Sequence, residues 1–227
     1  MATAENYGVV FDVDGVLVDS HEAHYLSWKQ LFDEHQKPFT RQMFVDGFGM
    51  TTREVLRKQF IAPGEELTDA QIHEIDLYKE GIYRQMMQQN FTGMPGAKAL
   101  IEKLHHAGMQ VAVGSSGPKE NVEVAIQGLQ VGDLIPPASR INGGDVKRGK
   151  PDPEIFLKAI ASIGLKPAQC VIIEDAPVGL QAARSAGAKC VGFASVGRTR
   201  EELSAADLVI DDLSELSPQV LQRVIDG

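Results

Sequence analysis

The feature that most constrains this chain is the stretch at residues 7–20, which reads YGVVFDVDGVLVDS. Gly8–Phe11 is a short apolar run of the kind buried on both faces of a parallel sheet, and it stops at Asp12, Asp14 and Gly15. Residues two apart on an extended chain point the same way, so Asp12 and Asp14 can converge on one ligand or one hard cation. In open α/β sheets that edge is where ligands bind. An EF-hand calcium loop is excluded, because counting from Asp12 puts Leu17 and Ala23 where Gly and Glu are required, and a strand precedes the loop instead of a helix. Two readings stay open at this point: a plain Asp-Gly turn, and a phosphoryl-transfer pair in which one Asp is nucleophile and the other acid/base. The rest of the chain has to separate them.

From Met94 onward the pattern is helix, glycine, strand, repeated. Helices ending at Gly108, Gly164 and Gly187 lead into VAVGSS, CVIIED and AKCVGF, and glycine takes the left-handed conformation of a helix C-terminus cheaply. A further strand is predicted at 207–210 and a last helix at 218–225. Strands alternating with helices imply an α/β fold with a doubly wound, mostly parallel sheet. Residues 20–91 carry no strand signal. Tyr25, Trp28, Leu31 and Phe32 recur at helical spacing over 21–35, a glycine-containing loop occupies 46–52, and a short helix follows over 53–60. Thr68 and Gln71 form a capping box for a helix reaching about residue 89, with Ile72, Ile75, Ile82 and Met86 as its stripe. The expectation is a core domain at 1–19 and 92–227 with an α-helical domain inserted at 20–91, hinged at Asp19-Ser20 and at 91–96.

At 227 residues, 43% hydrophobic and 23% charged, the chain can bury a full core. A net charge of -9 without any Lys/Arg cluster argues against nucleic acid as a partner. No run approaches the ~18 apolar residues of a membrane span, and the N-terminus lacks a basic segment followed by an apolar core, so a cytoplasmic protein without a membrane partner is expected. Cys170 and Cys190 each precede an apolar run and lack the spacing of a metal or redox pair, which makes them core residues.

Three more stretches carry chemistry. The strand at 110–113 runs into Gly114, Ser115, Ser116 and Gly117, with Pro118 expected at the first position of the next helix; a helix N-terminus beside a hydroxyl is either plain capping or an anion site. Lys150 precedes Pro151 in RGKPDPEIF, and reads as a surface lysine unless its neighbours place it elsewhere. Glu174 and Asp175 end an apolar run and make a second acidic pair at a strand terminus, costly to bury unless a cation or donors balance it. In the helical segment Lys79 falls on the apolar face of its helix. Either its stem packs while the ammonium reaches water, or it is a cationic group projecting into a site between two lobes.

The set DVDGVLVDS, VGSSG, GKPDP and IEDAPVGLQAARSAG resembles the four motifs of the haloacid dehalogenase superfamily, in order and over nearly the whole chain. The likeness is to the branch with a helical C1 cap between the first two motifs, which holds β-phosphoglucomutase and many sugar phosphatases. The resemblance implies Asp12 as nucleophile, Asp14 as general acid/base, Ser115 as a phosphoryl contact and Lys150 as the balancing charge. It implies Mg2+ held by Asp12, Asp14 through its backbone carbonyl, Glu174 and Asp175. In the cap it implies substrate contacts or hinge roles for His24, Trp28, Gly49, Arg53 and Lys79, with Ser116 beside the phosphate. The expected partner is a small phosphorylated metabolite of the sugar phosphate class, and the expected assembly a monomer or weak homodimer. The mutase carries a Ser-Lys-Asn series after the second motif, whereas this chain has Ser116, Gly117 and Pro118 before Lys119, which favours hydrolysis over isomerisation. Dehalogenase chemistry is disfavoured because those enzymes usually lack the second Asp. A phosphoaccepting receiver module is the alternative of another class, but receivers are about half this length and have no cap.

Overall fold

The computed structural model describes residues 6–47, 52–62 and 64–227. Six parallel strands form one sheet: β1 (Gly8–Phe11), β2 (Gln110–Gly114), β3 (Arg140–Ile141), β4 (Cys170–Glu174), β5 (Lys189–Phe193) and β6 (Leu208–Ile210). Their order is β3-β2-β1-β4-β5-β6, the doubly wound arrangement in which the chain reverses direction across the sheet between β1 and β4. The apolar run at Gly8–Phe11 therefore lies in the middle of the sheet, and all four of its residues are buried. Val10, Ala112, Ile172 and Cys190 alternate onto one face, where they meet Phe156, Ala159 and Ile160 of the helix Glu154–Ser162 and Leu180, Ala183 and Ala186 of the helix Pro177–Ala186.

The helices are α1 (His21–Glu34), α2 (Arg41–Gly47), α3 (Thr52–Val55), α4 (Asp69–Gln89), α5 (Ala97–His106), α6 (Lys119–Leu129), α7 (Glu154–Ser162), α8 (Pro177–Ala186) and α9 (Pro218–Asp226), with a π-helical turn at Leu56–Phe60. Gly108, Gly164 and Gly187 have φ of 79°, 73° and 79°, the left-handed geometry expected where helices hand over to strands. The capping box at Thr68 and Gln71 forms as read, with the Gln71 N–H donating to Thr68 Oγ1 at 3.3 Å. Pro118 is the residue before α6, not its first member. On α4 it is Met87 that is buried, while Met86 is half-buried.

Two elements had no sequence signal. One is α2. The other is β3, whose two half-buried residues are too few to show a period; it is anchored by Arg140, whose guanidinium donates to the carbonyls of Ile135 and Gly132 and to Glu123. The chain divides into two compact units, an α/β unit of Met1–Asp19 with Thr92–Gly227 and a helical unit of Ser20–Phe91. The helical unit has its own core, built from Trp28, Leu31, Phe32, Phe39, Phe44, Leu56, Phe60 and Ile72. Among the described residues no helix is long and apolar enough to cross a membrane. Both cysteines are buried and unpaired with each other.

Candidate active site

Sheet register assembles the site. Phe11 pairs with Ile173 on one side and Val113 on the other, so the residues just beyond these three, Asp12, Glu174 and Gly114-Ser115, emerge side by side at the carboxyl edge. The Asp12 N–H donates to the Ile173 carbonyl at 3.0 Å, which keeps Asp12 in register one residue past the strand. The chain then turns back: Leu17 N–H reaches the Val13 carbonyl at 2.8 Å and Gly15 N–H the Val18 carbonyl at 2.9 Å. Gly15 has φ +77°, and a Cβ there would stand 2.2 Å from Asp175 Oδ2, so both the turn and the approach of Asp175 require glycine.

Lys150, read from its own neighbours in sequence as a surface lysine unless they place it elsewhere, is turned inward. Its side chain is 6% exposed, and its Nζ donates to Asp12 Oδ1 at 2.8 Å and Glu174 Oε1 at 2.7 Å. Glu174 Oε2 accepts the Ala176 N–H at 2.7 Å. Asp12, Glu174 and Asp175 each offer an oxygen within 4.8 Å of the other two, and all three residues are buried. Burial, the largest influence, pushes the Asp12 carboxyl up to about 7; Lys150 opposes this, while the charges of Glu174 and Asp14 add to it. Asp175 is also held well above the ordinary carboxylate range, by burial first and then by Glu174 and Asp12. Burial acts to lower Lys150, but the charges and hydrogen bonds of Asp12 and Glu174 outweigh it, so its ammonium stays above its usual range.

Three buried carboxylates, with the Lys150 ammonium on two of them and the Arg198 guanidinium 4.0 Å from the third, make an oxygen-only donor set with more acids than cations. A hard divalent cation of the Mg2+ kind fits this set, and each carboxylate oxygen keeps a lone pair for it beyond the hydrogen bonds already made. The Asp14 side chain is half-buried and is not one of the three acids; its Oδ2 lies instead near Gly117. Ser115 is buried and accepts the Gly117 N–H on its Oγ at 3.0 Å, whereas Ser116 is exposed. Two residues escaped the sequence reading. Ser195 Oγ donates to Asp175 Oδ2 at 3.3 Å, and Arg198 Nε lies 4.0 Å from the same oxygen. The signal that could have pointed to them is their place at the carboxyl edge, just after AKCVGF.

A family model described as haloacid dehalogenase-like hydrolase matches residues 9–193. The beta-phosphoglucomutase of Bacillus subtilis is 33% identical over 95% of this chain and 93% of its own length. This chain belongs to the haloacid dehalogenase-like hydrolase family. Within that family it is also 30% identical to hexitol phosphatase A of Escherichia coli, over 92% of this chain and 93% of that one. A family IA, variant 3 hydrolase of the same family from Entamoeba histolytica superposes with a TM-score of 0.89 at 26% identity, covering 97% of this chain and 100% of the other. The protein is accordingly an enzyme, a phosphatase or a mutase.

The helical unit gathers a second set of expected residues. Lys79 Nζ lies 3.0 Å from His24 Nδ1 and 5.4 Å from the centre of the Trp28 ring. Two residues not singled out from sequence complete this group: Glu80, whose Oε1 accepts from Lys79 at 2.6 Å, and Tyr83, stacked on His24 at 4.2 Å. The first reading of Lys79, with its ammonium in water, is thus corrected: the residue is 4% exposed because the next residue supplies a carboxylate that makes burial tolerable. Arg53 stands apart, paired with Asp69 at the start of α4, ten residues or about 15 Å along the helix from Lys79. Gly49 lies outside the described residues. Lys79→Ala breaks the buried Lys79–Glu80 ion pair, so a loss of about 3–5 kcal/mol in stability is expected. Denaturant unfolding checks it, and Glu80→Gln together with Lys79→Met should recover most of the loss if the pair, not the lysine alone, sets the cost.

Proposed function

We propose that this protein is a Mg2+-dependent phosphatase that hydrolyses a small sugar phosphate through a phosphoaspartyl enzyme. The observation that carries the reading is the contact of Lys150 with both Asp12 and Glu174 at the edge of the central strands. In this reading Asp12, Glu174, Asp175 and the backbone carbonyl of Asp14 hold the metal, which when bound supplies positive charge against the carboxylates and the phosphoryl oxygens. Asp12 attacks phosphorus in line, with its carboxylate oriented by Lys150. Ser115 binds a phosphoryl oxygen. Asp14, protonated, gives its proton to the leaving oxygen and then takes one from water, which cleaves the acyl phosphate and returns Asp12. Residues 20–91 are read as the cap domain, 1–19 and 92–227 as the core, and His24, Gly49, Arg53, Lys79 and Ser116 as substrate contacts. The two buried thiols suit a cytoplasmic enzyme.

The second reading is a phosphohexomutase, favoured by the identity shared with the Bacillus subtilis beta-phosphoglucomutase. Hydrolysis is preferred because this chain has Ser116, Gly117 and Pro118 before Lys119 after its second motif, a departure from the Ser-Lys-Asn series of the mutase. A panel of phosphate esters with Mg2+, followed for both free phosphate and isomerised product, separates the two. Release of phosphate from hexose or hexitol phosphates without isomerisation is the expected result; isomerisation with little free phosphate would select the mutase, and neither would overturn both. A second expectation concerns the metal alone. Adding Mg2+ to chelated protein at about 100 times its dissociation constant should stabilise the fold by about 2.7 kcal/mol, read as a rise in thermal midpoint, and Glu174→Ala should shrink that rise. An unchanged midpoint at any Mg2+ concentration would sink the assignment.

A further inference from the structure

The loop that carries Ser115 leans on a second loop one strand away. Val113 and Gly114 pair with Arg140 and Ile141, and the Ser115 N–H donates to the Ile141 carbonyl at 3.0 Å. Past Ile141 the chain enters a turn at 142–145 that is locked from within. Asn142 is 7% exposed; its Oδ1 accepts the Gly144 N–H at 2.9 Å, its own N–H donates to Asp145 Oδ2 at 2.9 Å, and its side-chain amide donates to the same oxygen. The locked turn sets Gly143 directly on the Ser115 loop. Its N–H donates to the Gly117 carbonyl at 2.8 Å, and a Cβ on it would stand 2.4 Å from the Ser116 carbonyl oxygen, 3.2 Å from the Ser116 carbonyl carbon and 3.3 Å from the Gly117 oxygen. These are backbone atoms and cannot rotate away as a side chain would. Glycine is needed here for space.

We propose that the 142–145 turn is the brace that fixes the backbone of residues 115–117 for binding a phosphoryl group, with Gly143 as its positioning residue. The inference rests on reading Ser115 as a phosphate contact. A methyl group at 143 has to push Ser116 outward by more than half an ångström or break the Gly117 hydrogen bond, and either moves the Ser116 peptide together with Ser115 Oγ, which is tied to the Gly117 N–H. A misplacement of about 1 Å costs on the order of 10²-fold in rate. The metal side of the site lies on other strands, at Asp12, Glu174 and Asp175, so the disturbance should not reach it.

The test compares wild type with Gly143→Ala, Asp145→Ala and Asp145→Asn, measuring inhibition by inorganic phosphate, kcat and KM on an ester that the wild type turns over, and Mg2+ binding by calorimetry. Gly143→Ala should weaken phosphate by about tenfold or more and lower kcat/KM by about 100-fold, with the Mg2+ dissociation constant within about twofold. Asp145→Ala, which unlocks the turn without adding bulk, should move phosphate the same way by a smaller factor. Asp145→Asn, which keeps an oxygen for the Asn142 N–H, should restore most of it. Should Gly143→Ala not fold, the two Asp145 variants decide. Unaltered phosphate affinity in the variants, or Mg2+ affinity falling in parallel with it, overturns the brace while the wild type still binds phosphate. A wild type that binds no phosphate removes the underlying reading and the brace with it.

Discussion

Replacing Asp12 by Asn is expected to lower turnover by about ten-thousandfold or more while leaving the protein folded. The amide matches the carboxylate in shape and can still accept from Lys150, which keeps Glu174 as its second partner at 2.7 Å. What it cannot do is form an acyl phosphate, and loss of a covalent nucleophile costs many factors of ten. Stability should move the other way. Asp12 is buried and its carboxyl is pushed up to about 7, so in the metal-free protein at neutral pH its charge is a burden that the amide removes. Two measurements check this: steady-state rates on the best ester of the panel, and mass analysis of acid-quenched protein, in which only the wild type should carry one added phosphoryl group. A folded Asp12→Asn protein keeping more than about a hundredth of the activity would sink the nucleophile assignment.

Much of this site is legible in the sequence because each part sits where a strand stops. Gly8–Phe11, the run before Glu174 and the run before Ser115 are apolar enough to be recognised as strands, and a parallel sheet then needs only its order to bring their ends together. Lys150 was legible only through its motif, because nothing local in RGKPDP shows that the lysine turns inward onto Asp12. Contacts made by single residues in loops left no periodic pattern, only a place after a strand. Ser195 and Arg198 reach Asp175 from a loop without periodicity, and Arg140 pins a two-residue strand through carbonyls that any sequence would offer. Lys79 shows the limit of reading a helix by its stripe: spacing put it on the apolar face, but whether its charge was exposed depended on Glu80, a neighbour that helical spacing places on a different bearing.

Gly179→Ala should cost about 100- to 1000-fold in activity, although alanine is the better helix former. Gly179 lies in the first turn of α8, in ordinary helical geometry, where exchanging Gly for Ala would by itself favour the helix by about 1 kcal/mol. The obstacle is Glu174, whose side chain folds back so that Oε2 meets the Ala176 N–H. A Cβ at 179 would stand 1.7 Å from Glu174 Oε1, 1.9 Å from its carboxyl carbon and 2.5 Å from Oε2. The carboxylate has to leave, and with it go the second partner of Lys150 and one of the three acids that suit a cation. The effect therefore acts through Glu174 alone, which fixes how the two positions combine. Glu174→Ala should lose about as much activity as Gly179→Ala, and adding Gly179→Ala to Glu174→Ala should lose nothing further, because the group it displaces is already gone. Steady-state rates of the four proteins at saturating Mg2+ read this directly. Losses that multiply in the double variant would show that Gly179 serves the helix or its packing instead of making room for the carboxylate.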